Sequence, residues 1–266
     1  MHLWAQTRKE LLNKPLTQRI EAKYPVNEVV ADAVNSFIQP YVKPDPLAIE
    51  GASYPVYSLY FDTPDFRFLR DTCEGVKNRF KLRLRHYGPE CRRIFFEIKR
   101  RLGDVVYKQR ASLTRETAIS FLDGKFSGDC IEKSSLDVTP DESYNLFEFR
   151  RYMEALKAEP RLLVKYSREA YIGRNDESLR VTFDRDIQFL PLDNSGDFIN
   201  GIETDSLPYQ DMPVILEVKF TDSHPVWVSK MFQRFDLVRR SFSKYRHGME
   251  QMEPWQWNEY EEAEEA

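Results

Sequence analysis

The residues best suited to chemistry lie between Phe80 and Arg101, where charge falls on every second position. Phe80-Lys81-Leu82-Arg83-Leu84-Arg85 alternates apolar and basic, so an extended chain puts Lys81, Arg83 and Arg85 on one face. After a turn expected at His86-Tyr87-Gly88-Pro89, the run Ile94 to Arg101 repeats the pattern with Glu97, Lys99 and Arg101. A strand face that is only solvated usually mixes Thr, Ser, Glu and Lys, whereas this one is almost purely cationic. Such a row suits phosphate. The planar fork of Arg makes two parallel hydrogen bonds to it, and Lys acts as a mobile point charge.

Other runs repeat the device. Arg19, Glu21 and Lys23 alternate, as do Lys108 and Arg110, Tyr166 and Arg168, and Arg180, Thr182 and Asp184. In Val214 to Phe220, Glu217 aligns with Lys219 against Leu216, Val218 and Phe220, and near the end Phe242, Lys244 and Arg246 share a strand-like face. These patterns predict an α+β fold, a closed antiparallel β-tunnel with a charged lumen and helices packed outside. Unpaired ions are costly to bury, so a lumen with this excess of bases must hold water and, when working, a polyanion. A triphosphate is normally handled with Mg2+ or Mn2+, which needs only one or two protein carboxylates. Glu217 is the first candidate metal ligand, with Glu97 in the same relation to Lys99, and Glu21 beside them. An ion pair with a neighbouring base is an equally open reading of each glutamate.

Bulk properties limit the alternatives. With 266 residues, 41% of them hydrophobic, the chain can bury a sizeable core. A formal net charge of -4 argues against a general nucleic-acid binder and makes the concentration of bases on particular faces more informative. The three cysteines form no Cys-x-x-Cys pair, which suits a reducing compartment and predicts a cytoplasmic protein. No apolar span approaches the roughly 20 residues of a transmembrane helix. The four histidines have no metal-ligand spacing, and neither a Gly-x-Ser-x-Gly elbow nor a Gly-rich phosphate loop is present.

The charged strands need cover for their apolar faces. Asn27 can cap a helix carrying Val30, Val34, Phe37 and Ile38, and Thr114 one carrying Ala118 and Phe121, ended by Gly124. Asn145 to Lys157 has Leu146, Phe149, Met153 and Leu156 at helical spacing, and Pro225 suits the first turn of a helix with Trp227, Met231, Phe235 and Val238. Ser53 to Thr63 reads as a strand. The polar stretch from Leu190 to Pro213 reads as an insertion or surface flap. The expected organisation is an amino-terminal helix or extension over 1–18, a tunnel domain over 19–250 and an acidic tail over 251–266.

The ordered series Arg19-x-Glu21-x-Lys23-Tyr24, Ser58-Leu59-Tyr60-Phe61-Asp62-Thr63, Lys81-x-Arg83-x-Arg85-x-Tyr87, Phe96-Glu97-Ile98-Lys99, Tyr107-Lys108-x-Arg110, Tyr166-x-Arg168, Arg180-Val181-Thr182-Phe183-Asp184, Leu216-Glu217-Val218-Lys219 and Ser243-Lys244-Tyr245 resembles the VTC domain. This is the catalytic domain of the vacuolar transporter chaperone polyphosphate polymerases, within the triphosphate tunnel metalloenzyme superfamily. The resemblance runs from about Arg19 to Gly248 and rests on the order and number of the motifs. It implies an eight-stranded tunnel, a divalent metal, and transfer of the terminal phosphate of ATP onto polyphosphate. It also implies phosphate-cradling roles for Lys23, Arg83, Arg85, Lys99, Arg168, Arg180 and Lys244, and a metal-binding role for Glu217. Lys81, Lys108 and Lys219 join the expected phosphate contacts. Arg19 stands where the hydrolytic relatives of the superfamily have Glu, which removes one carboxylate and favours the VTC branch. Hydrolysis of tripolyphosphate or nucleoside triphosphate, and a binding module without turnover, remain alternative functions.

Overall fold

The structure, a computed structural model, describes residues 19–46, 53–88, 90, 92–102, 105–123, 138–192, 198–199, 207–208 and 212–252. The expected extension before Arg19, nearly all of the acidic tail, most of the 190–213 stretch, Pro89, Cys91, Cys130 and Gly124 lie outside the described residues.

Period-two alternation becomes ten strands among the described residues: β1 (Arg19–Val26), β2 (Val42–Pro44), β3 (Tyr54–Asp62), β4 (Asn78–Tyr87), β5 (Arg93–Leu102), β6 (Val105–Thr114), β7 (Glu159–Gly173), β8 (Arg180–Pro191), β9 (Leu207–Pro208) and β10 (Val214–Thr221). Eight of them follow one antiparallel path, β1-β10-β8-β7-β3-β4-β5-β6, while β2 pairs with β7 and β9 with β8. The expected tunnel is not closed. The end strands β1 and β6 do not pair, and the sheet is a curled half-barrel. The free side of β1 is used in another way. The backbone N–H of Arg240 donates to the Lys23 carbonyl at 2.9 Å, and the Arg239 guanidinium donates to the Glu21 carbonyl at 3.4 Å. A segment more than two hundred residues downstream thus takes carbonyls that a closing strand would need.

Among the described residues six helices accompany the sheet: α1 (Glu28–Ile38), α2 (Arg67–Cys73), α3 (Arg115–Leu122), α4 (Pro140–Ala155), α5 (Val226–Arg234) and α6 (Lys244–Met252). Asn27 caps α1 by accepting from the Val30 N–H, and Thr114 caps α3. The helix containing Asn145 begins earlier than its apolar spacing predicts, because Thr139 and Glu142 form a capping box and Pro140 opens the first turn. Pro225 stands just before α5 as its cap, and Val238 lies beyond that helix and is exposed. Helix α2 has no sequence signature of its own. The buried Asp62 carboxylate organises it by accepting from the N–H groups of Thr63, Phe68 and Leu69.

Two cores lie on the convex side. One packs β3 to β6 against α3 and α4 through Leu84, Phe96, Phe121 and Phe149, and the other packs β1, β10 and β8 against α1 and α5. A third core lies inside the curl and corrects the expectation that all helices pack outside. Tyr245 and Met249 of α6 pack on Leu162, Val164 and Phe189. Gly248 permits this approach, since a Cβ there would come within 2.5 Å of Leu162 and Phe189. Lys244 and Arg246 therefore belong to a helix, not to a strand face. Phe198 and Ile199 are buried against the first core, so the 190–213 stretch is not merely a surface flap.

Candidate functional site

With α6 filling its apolar part, the rest of the concave face is charged. Register fixes which side chains share it. Lys81, Lys99 and Lys108 are Cα partners across β4, β5 and β6, and Tyr60, Arg83, Glu97 and Arg110 form the next row across β3 to β6. On the other wall Glu21 faces Lys219 and Lys23 faces Glu217, with Thr182 and Arg180 continuing the rows on β8.

Glu97 stands in the base cluster. It is 1% exposed, accepts from Arg83 Nε at 2.6 Å, and lies 2.8 Å from Lys108 Nζ and 3.5 Å from Arg110 Nε. Burial opposes its ionisation, but Arg83, Arg85 and Lys108 outweigh this and hold its carboxyl far below the usual range. Arg85 lies farther from Glu97, at 4.0 Å, and its hydrogen bonds go to neutral partners. It donates to Ser58 Oγ at 3.0 Å and to the Tyr166 hydroxyl at 3.3 Å. Arg83 also donates to the Tyr60 hydroxyl at 3.1 Å.

Asp184 anchors the opposite wall. It takes both arms of Arg168, at 2.6 and 2.8 Å, and Lys244 Nζ at 2.5 Å. Burial opposes its charge, yet Arg168 and Lys244 lower the carboxyl to about 2. Its role is positioning. It fixes Arg168 and ties the first residue of α6 to the sheet.

Glu217 and Glu21 make up the remaining acid group. Glu217 is 5% exposed, lies 3.3 Å from Lys219 and is close enough to Glu21 to hydrogen-bond. Burial works against its charge, but Lys219 and the contact with Glu21 hold it well below the carboxylate range. Glu21 lies 3.4 Å from Lys23 and 3.5 Å from Lys99. Lys23 donates to the Phe242 carbonyl at 3.0 Å. Burial would lower it, but Glu217 and Glu21 raise it above its ordinary value. Lys81 donates to Ser243 Oγ at 2.8 Å, and burial pushes it down to about 8, with Lys23 and Lys99 adding to the effect.

The structure thus gathers Lys23, Lys81, Arg83, Arg85, Lys99, Lys108, Arg168, Lys219 and Lys244 around one concave face. Arg180 shares the face at its margin, where it pairs with Asp45. Sequence reasoning gave no role to Tyr60, Tyr166, Ser58 and Ser243, whose hydroxyl oxygens accept from Arg83, Arg85 and Lys81. For Ser58, Tyr60 and Tyr166 the only signal is that they fall on the charged side of their alternations, and Ser243 carries none.

No group of three or more His, Cys, Asp or Glu that could hold a metal forms among the described residues. The Glu21–Glu217 pair still fits a hard divalent ion. Two carboxylates this close repel unless a proton or cation lies between them, and Mg2+ or Mn2+ needs only one or two carboxylates when phosphate oxygens and waters complete the shell. Glu97, enclosed by bases, is separate from that pair. Nearby, Thr182 Oγ1 is buried with no hydrogen-bond partner among the described residues.

Solved structures of similar shape are distant in sequence. A Bacillus halodurans protein designated an adenylate cyclase is 14% identical, covering 85% of this chain and 93% of its own, with a TM-score of 0.44. A Pyrococcus horikoshii protein is 10% identical over 87% of this chain and 98% of its own, with a TM-score of 0.43. The Hippeastrum protein HpAC1, designated an adenylyl cyclase and described as having a dominant triphosphatase activity, is 13% identical over 86% and 93%, with a TM-score of 0.45. No curated protein matches the sequence. The VTC domain matches residues 18–253, which takes in every strand and helix described above, and the chain belongs to the VTC domain family.

Proposed function

We propose that the chain is a metal-dependent phosphotransferase that acts on ATP or polyphosphate in the manner of a polyphosphate polymerase. The lysine row Lys81-Lys99-Lys108 carries this reading. Like charges directly opposite on neighbouring strands destabilise a sheet. Glu21 and Glu97 reach Lys99 and Lys108 from beside the row, and a triphosphate lying across it would offset the repulsion that is left.

In this reading Arg83, Arg85 and Arg168 bind the phosphate oxygens of donor and acceptor. Glu97, Ser58, Tyr166 and Asp184 hold those guanidiniums in position, so little reorganisation accompanies the reaction. Lys81, Lys99 and Lys108 balance the growing charge, and Lys23 and Lys244 complete the cradle from β1 and α6. Glu217, with Glu21 beside it, would hold the divalent ion, which when bound supplies Lewis-acid stabilisation of phosphoryl oxygens. In the transfer a terminal oxygen of the acceptor chain bonds to the γ-phosphorus and the β–γ bridging bond breaks, releasing ADP.

The test is incubation of the purified protein with ATP and Mn2+, with products resolved by size. Long phosphate chains support the proposal. Free phosphate alone would make the protein a hydrolase, and binding without any product would make it a polyanion-binding module.

A further inference from the structure

Tyr60 has no part in the scheme above, yet the geometry supplies one. It is 7% exposed, stands opposite Arg83 in the β3–β4 register, and its ring stacks on Tyr245 at 5.1 Å and 21°. Stacking and burial fix the direction of the hydroxyl. Its oxygen accepts from Arg83 at 3.1 Å, and no acceptor for its own hydrogen lies among the described residues. The charged groups that face it are Lys81, Arg83 and Arg85 from β4 and Lys23 from β1. The carboxylates nearby are already engaged, Asp62 by the Tyr245 hydroxyl and Glu97 by Arg83. A phenol that accepts from a guanidinium and has a hydrogen left over is matched by a ligand made only of acceptors, which describes phosphate oxygen.

Resting on the phosphotransferase reading, we propose that Tyr60 is a further phosphate-binding residue, donating its hydroxyl hydrogen to the polyanion held by Arg83 and taking up a proton from solvent as that polyanion binds. Burial alone would raise the phenol, but Arg83, Arg85 and Lys81 pull it down to about 7. A phenol lowered in this way has a phenolate form within reach of neutral pH on the open concave face, and the phenolate can only accept. An entering polyanion offsets the same cations, so the phenolate is reprotonated. No bond other than this O–H forms or breaks. Lys81, pushed down to about 8, takes up a proton in the same range, so a total proton count does not isolate Tyr60.

The near-ultraviolet tyrosinate band does isolate it. The full chain is titrated at pH 8 with inorganic triphosphate, without metal, while calorimetry records affinity at several pH values. Triphosphate's own late ionisations affect wild type and Tyr60→Phe alike, so the difference between the two reports the phenol. The wild type should lose tyrosinate absorbance as triphosphate binds, and Lys81→Met should show a smaller loss, since it removes one of the cations that lower the phenol. Tyr60→Phe should abolish it and bind severalfold more weakly at pH 6.5. Above pH 7, wild-type affinity should carry a further decline approaching tenfold per pH unit, which Tyr60→Phe lacks. Triphosphate binding with no change in the band, or the same change in Tyr60→Phe, would overturn the role of Tyr60 and leave the phosphotransferase reading in place. No triphosphate binding at all would overturn both.

Discussion

Glu21 on β1 and Lys99 on β5 approach to 3.5 Å, although the sheet order places their strands near its opposite ends. Their ion pair spans the side that backbone pairing leaves open. Both side chains are about one-third exposed, at 31% and 37%, so solvent screens the pair and its worth to stability is at most about 1 kcal/mol. Lys99→Met should therefore leave the melting temperature within a few degrees. It should still lower metal-free triphosphate affinity by roughly tenfold or more, because a charge-assisted phosphate contact is lost. Calorimetry beside a thermal melt checks both expectations.

Arg83 and Arg85 should separate binding from folding in different degrees. Arg85→Ala removes a base whose hydrogen bonds go to the neutral Ser58 and Tyr166 and whose contact with Glu97 is the longer one, at 4.0 Å, so it should cost on the order of 2 kcal/mol of triphosphate binding with a smaller loss of stability than Arg83→Ala. Arg83→Ala also takes a partner from buried Glu97 and should destabilise the fold as well as weaken binding. Urea unfolding together with calorimetry distinguishes them. Equal stability loss in both variants would contradict the assignment of partners.

Asp184 predicts a specific acid dependence. Its folded-state value of about 2 lies below the ordinary aspartate value of 3.8, so its contribution is fully present above about pH 4 and is lost as pH falls toward 2. That contribution is about 2 kcal/mol by linkage, as an order of magnitude. Asp184→Asn should be destabilised at neutral pH by about 3 kcal/mol or more, since Arg168 and Lys244 lose a buried partner. Its stability should also fall less steeply than wild type below pH 4. Denaturant midpoints from pH 2 to 7 measure this directly.

Gly248→Ala should cost about 1–3 kcal/mol, because its methyl group meets Leu162 and Phe189 where α6 enters the curl. Lys244 leads the same helix, so triphosphate affinity should fall with it. A variant of unchanged stability and affinity would show that α6 is not held at this depth.

Much of this arrangement is legible in the residue pattern because strand alternation is strict. Lys81, Arg83 and Arg85 could share a face in no other way, and Asn27 and Thr114 announce their helices locally. Features set by distant partners are not legible. Helix α2 depends on Asp62, outside the helix itself, and Ser241 to Arg246 alternates as a strand would, although Gly248 and the apolar patch on β7 draw it into a helix. The open seam depends on Arg240 reaching Lys23, a pairing no local pattern encodes. Tyr60 and Tyr166 resemble core aromatics until register places them beside Arg83 and Arg85.

The central claim is that Glu217 serves a metal within a cationic phosphate cradle, and Glu217→Gln tests it most directly. The substitution keeps size and hydrogen bonding but removes the charge that would hold a divalent ion beside Glu21. Metal-dependent turnover of ATP should fall by roughly a hundredfold, as for loss of one electrostatic stabiliser, while metal-free polyphosphate affinity should stay equal or rise. Turnover unchanged from wild type with Mg2+ or Mn2+ would contradict the assignment.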